Sequence, residues 1–192
     1  MAFFATGPGL GLIMYILTTL EFPTHNFDFH LLTTSVNAKH YCNYLPPSSR
    51  KMFWCDAGLV PKIEVANLMG GDRKVLVRSR LYSPTGLAVD PLTDRLYWCD
   101  TKENEVETIF TNGTDRRVVL TSAQLQGKFF QPHSIDVFED YLYIVTRRGV
   151  AFKWNKFGLG RPITLLESLA AGEVGLKIFH KARQSHSSLS KF

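Results

Sequence analysis

Between Phe53 and Leu166 the apolar residues fall in short runs, broken by Gly, Pro, Asn and Asp. That length and punctuation predict strands rather than helices. One run says the most. Leu96-Tyr97-Trp98-Cys99 is apolar at every position. On a strand, Leu96 and Trp98 face one side, and Tyr97 and Cys99 the other. A strand apolar on both sides has to be covered on both, as in a sheet stacked between two others.

The run recurs. Phe53-Trp54-Cys55-Asp56 returns as Tyr97-Trp98-Cys99-Asp100, and more loosely as Tyr143-Ile144-Val145-Thr146, at spacings of 44 and 46 residues. Around the second copy, Pro84–Asp90 reads as a turn and short buried strand, and Pro91–Asp94 as a second turn. Val106–Phe110 alternates, Asn112-Gly113 is a tight-turn signal, and Arg116–Leu120 is an outer strand. Four strands in about 40 residues is the content of one propeller blade.

The neighbouring units line up with this one. Ile63–Leu68, the Gly70-Gly71 turn and Arg73–Val77 repeat the third strand, the turn and the fourth strand. Pro132–Val137, Leu142–Val145, Val150–Trp154 and Ile163–Leu166 make a third unit, and Gly175–His180 one further strand. The expected fold is all-β: an incomplete β-propeller of about three four-stranded antiparallel blades, too few to close a ring. The expected organisation is a leader over residues 1–49, blades over 50–184 and a disordered, Ser-rich tail over 185–192.

The two Trp-Cys-Asp motifs resemble the YWTD repeat of the low-density lipoprotein receptor family. So do Gly70–Val75, Gly113–Val118 and Gly86–Pro91. Lys156-Phe157-Gly158 and Ile178–Gln184 resemble the last part of a propeller in the large receptor-related members. The resemblance implies a six-bladed ring, of which about half is represented. It further implies a cell-surface, extracellular module of an endocytic receptor that binds lipoproteins, proteases or protease–inhibitor complexes and is helped by a dedicated folding chaperone. The chain departs from the pattern. Cys replaces Thr in two motifs, the third loses both Trp and Asp, and no cysteine follows Cys99, as a growth-factor-like module would require. On this reading the membrane is reached only through other parts of a parent receptor.

Composition changes the picture little. A formal net charge of +5 favours an acidic partner, but nucleic-acid binding usually brings a denser basic face, and none is expected. The cysteines are Cys42, Cys55 and Cys99. Cys55 and Cys99 hold the same place in successive units, which sets them about 10 Å apart in stacked sheets, beyond the roughly 7 Å a disulfide tolerates. Both therefore read as small buried apolar residues. Phe3–Leu20 is apolar, but no Lys or Arg precedes it as in a signal peptide, and its Gly and Pro residues argue against a membrane span.

Candidate chemistry is sparse. Phe53, Trp54, Asp56, Tyr97, Trp98 and Asp100 are structural motif residues, the aspartates expected to tie down turns rather than to gather a metal. Asn112-Gly113-Thr114 is an N-glycosylation sequon on a predicted turn. Arg73, Lys74, Arg116 and Arg117 fall at matching places and form a candidate basic ligand rim. His133, Ser134 and Asp136 sit where the repeat puts Thr85, Gly86 and Ala88, so a structural role is expected over a triad. No catalytic, cofactor or metal residue is predicted. The expected function is non-enzymatic protein binding. The alternatives are a propeller hydrolase such as a lactonase, and a truncated product without independent function.

Overall fold

The computed structural model describes residues 2–6, 13–17, 40–44, 51–125, 131–167 and 175–179. The predicted tail and residues 180–184 lie outside them, as does most of the predicted leader.

The described strands form four antiparallel sheets. Strands β3 (His40–Tyr44), β4 (Lys51–Asp56), β5 (Lys62–Asn67) and β6 (Lys74–Val77) make the first blade, in that order. Strands β7 (Pro84–Asp90), β8 (Arg95–Asp100), β9 (Glu105–Phe110) and β10 (Arg117–Thr121) make the second. The third is β11 (Pro132–Phe138), β12 (Tyr141–Thr146), β13 (Ala151–Asn155) and β14 (Ile163–Leu166). A fourth sheet has the order β1 (Ala2–Thr6), β2 (Ile13–Leu17), β15 (Gly175–Phe179).

Two features correct the expectations. The sequence marks only Phe53–Asp56, Ile63–Leu68 and Arg73–Val77 in the first unit; His40–Tyr44 supplies its innermost strand, pairing with β4. Its place in the repeat suggests that Cys55 is an unpaired apolar residue, but it is disulfide-bonded. Cys42, rather than Cys99, stands directly opposite it, across the β3–β4 ladder. The innermost strands share a register shift at one place: between His40 and Cys42, Pro84 and Gly86, and Pro132 and Ser134.

Stacking buries β8 from both sides. Leu96 and Trp98 cluster with Phe53, Cys55 and Ile63 of the first blade. Tyr97 and Cys99 cluster with Ile135, Val137, Leu142 and Ile144 of the third. The same alternation continues one blade on, where Tyr143 and Val145 meet Leu176 and Ile178 of β15. Trp98 and Cys99 are both fully buried.

Inner strands approach closely. A Cβ built on Gly86 would lie 2.9 Å from the His133 carbonyl oxygen and 3.0 Å from Ile135 N, so glycine is what lets β7 meet β11. Polar bonds fasten the same seam. The Thr101 hydroxyl donates to the Pro132 carbonyl at 2.6 Å. Lys156, buried in the third blade, reaches Asp90 of the second at 2.9 Å.

Candidate functional site

The first and second blades repeat a three-residue clamp. In β4 and β8, Trp54 and Trp98 stand opposite Glu64 and Glu107 of the next strand. Both glutamates are buried, which is tolerable only with a charge partner. An arginine nine residues downstream provides it in each case. Arg73 donates from Nε and Nη2 to the two Glu64 oxygens, each at 2.9 Å. Arg116 does the same to Glu107, at 2.8 Å. Each guanidinium also lies over its tryptophan, 5.2 Å from the Trp54 centroid and 5.4 Å from that of Trp98, a cation–π geometry.

Arg116 does one thing more. It donates to the carbonyls of Ser79 and Arg80 in the segment leaving the first blade, so it spans two blades. Burial pushes the Glu64 carboxyl up, but hydrogen bonding to Arg73 and the charges of Arg73 and Lys62 outweigh it and hold it below the usual carboxylate range.

The rim residues therefore divide. Arg73 and Arg116 are committed to the clamps, whereas Lys74 and Arg117 are exposed. Sequence reading overlooked the glutamates. The signal was available: an acid inside an otherwise apolar third strand, with Arg at a fixed distance in two successive units. The third unit lacks the clamp. Ile144 replaces the tryptophan, Phe152 faces it in place of the glutamate, and Arg161 is left exposed.

The motif aspartates hold turns. Asp100 accepts from Tyr82 and Ser83 N–H on the chain entering its blade, and from Lys102 and Glu103 N–H in the following turn. Asp56 accepts from Gly58 N–H at 2.8 Å. The third copy has Thr146, whose hydroxyl oxygen accepts from Val150 N–H.

His133, Ser134 and Asp136 lie on β11. Ser134 Oγ accepts from Leu176 N–H at 3.0 Å, and Asp136 Oδ2 from Ile178 N–H at 2.9 Å. Both side chains are thus used to dock β15. His133 is buried. Among the described residues, no group of three or more His, Cys, Asp and Glu could hold a metal ion, and no helix is long and apolar enough to cross a membrane.

The sequon occupies the β9–β10 turn. Asn112 is exposed, and its Oδ1 accepts from Thr114 N–H at 3.0 Å and from the Thr114 hydroxyl at 2.7 Å. Gly113 has φ +91°, a conformation that suits glycine.

Residues 50–91 match the low-density lipoprotein receptor repeat class B. The chain is 32% identical over 128 residues to the vitellogenin receptor of Solenopsis invicta, covering 60% of this chain and 7% of that protein. It is 34% identical over 102 residues to Protein cueball of Drosophila sechellia, covering 51% of this chain and 15% of that protein. It thus spans a small part of the relatives it matches. A gluconolactonase from Xanthomonas campestris superposes with a TM-score of 0.54 at 15% identity, over 70% of this chain and 48% of that one; at that identity the likeness is one of fold. With β8 and β12 each covered on both faces by neighbouring sheets, the chain is an incomplete β-propeller that carries a match to the low-density lipoprotein receptor class B repeat.

Proposed function

We propose that the chain is a non-enzymatic, extracellular protein-binding module of a cell-surface receptor, engaged in ligand uptake. The observation that carries this reading is the receptor-type repeat at residues 50–91 set in a blade stack, supported by the similarity to a vitellogenin receptor. Loops on a rigid scaffold suit recognition. The ligand class is a lipoprotein or a protease or protease–inhibitor complex, met through acidic surface by Lys74 and Arg117, with Arg147 and Arg148 as further exposed cations. A dedicated folding chaperone and a glycan on Asn112 belong to the same reading.

The fate of the buried acids favours binding over hydrolysis. A propeller hydrolase would gather them as bases or ligands. Here Glu64 and Glu107 are bound to arginines, Asp90 to Lys156, Asp100 to turn N–H groups and Asp136 to β15.

The test is surface binding of the whole chain to lipoprotein particles rich in vitellogenin, alongside gluconolactone hydrolysis. Saturable binding that weakens with salt and with Lys74→Ser/Arg117→Ser supports the proposal. Absent binding, together with lactone turnover, overturns it.

A further inference from the structure

We infer that Cys42 and Cys55 are joined as one cross-strand disulfide while Cys99, the equivalent of Cys55 one repeat later, stays a thiol. Cys55 is disulfide-bonded, Cys99 is free and buried, and the sequence holds three cysteines in all. Geometry selects the partner. Directly opposed residues of an antiparallel pair have Cα atoms about 4.5–5.5 Å apart, within the window of about 4.4–6.8 Å that a disulfide needs. Cys42 and Cys55 are such a pair.

The repeat builds this position three times and fills it differently each time. Opposite Cys99 stands Gly86, and opposite Val145 stands Ser134. Gly86 has no room for a side chain, and Ser134 is spent on β15. Among the described residues, the first blade alone pairs two cysteines at this register position. Burial, with the negative Asp100 beside it, holds the Cys99 thiol far above its ordinary range. It therefore offers almost no thiolate to attack a disulfide.

The chemistry balances against a known class of oxidant. Each thiol gives up its proton, the two sulfurs give up two electrons between them, and the S–S bond forms. The disulfide of a dithiol–disulfide oxidoreductase accepts the electrons and protons and leaves as a dithiol. Such bonds form and persist in oxidising compartments, so the chain folds in one. The pairing needs no ligand and stands apart from the binding proposal above.

The experiment is a thiol count on the full chain secreted from eukaryotic cells, denatured without reductant and alkylated with a maleimide. One label is expected, at Cys99, rising to three after reduction, with Cys42 and Cys55 recovered in one linked peptide before it. Cys42→Ser is expected to give two labels without reductant. Three labels in the unreduced parent protein, or none in Cys42→Ser, overturns the assignment. A failed lipoprotein assay leaves this count unchanged, so the two results are separable.

Discussion

Arg116 lies across the ring of Trp98 with its guanidinium carbon 5.4 Å from the centroid. One cation thus covers the most buried aromatic of the second blade, satisfies the acid opposite it and holds the exit of the first blade.

Arg116→Ala leaves Glu107 buried without its charge and is expected to cost about 3–5 kcal/mol, the usual penalty for breaking a buried pair from one side. Arg73→Ala should cost less, because the Arg73 side chain is 38% exposed against 17% for Arg116, and solvent screens what it leaves behind. Urea unfolding of both variants checks this through the denaturation midpoint. Equal midpoints would show that the Arg116 contacts with Ser79 and Arg80 add nothing.

The pair Glu64–Arg73 gives a pH prediction. The folded-state carboxyl sits below its ordinary range, so its contribution is present above the unfolded value of about 4.3 and is lost as pH falls through the folded one. Stability from this pair is therefore level from neutral pH down to about 5. Chemical denaturation at a series of pH values, comparing the parent chain with Glu64→Gln, should give curves that converge only below about pH 4.

Gly86→Ala is expected to destabilise by about 1–3 kcal/mol, since the added carbon meets backbone that cannot swing aside. Thermal unfolding reads the loss. Gly158→Ala is the comparison: nothing lies within 4 Å of its Cβ, so its cost comes only from the positive φ.

Asn112→Gln is expected to abolish a glycan-sized gel shift in secreted protein, and deglycosylation of the parent chain should reproduce the variant's mobility. Thr114→Ala should do the same, since the hydroxyl that bonds Asn112 Oδ1 is part of the acceptor signal. Identical mobility of parent and variant before any treatment would remove the assignment.

The sequence shows the blades clearly because their signal is local. Leu96 to Cys99 alternates between two apolar faces, and the strand is buried on both. Asp100 ends its strand by capping N–H groups nearby. What stayed hidden depends on distance along the chain. Nothing in His40–Tyr44 carries the proline that opens β7 and β11, so its membership of the first blade shows only through pairing with β4. Lys156 reads as a surface lysine beside a turn until the fold brings Asp90 to it from the previous blade. Glu107 looks like the wet side of an alternating strand. It is buried because Arg116 comes with it. Where Ile144 and Phe152 replace the aromatic and the acid, the blade keeps its strands without the clamp, so the clamp is separable from the strand pattern.

The ladder between β2 and β15 matches Ile13–Leu17 with Gly175–Phe179, joining segments far apart in the sequence. The second and third blades are each complete within one stretch of chain and can assemble as soon as that stretch is made. The β2–β15 ladder has to wait until its last strand leaves the ribosome. Contacts of such long sequence separation form slowly, so the strand edges of this ladder stay open to chaperones and to mispairing with another molecule for longer than those inside the second and third blades.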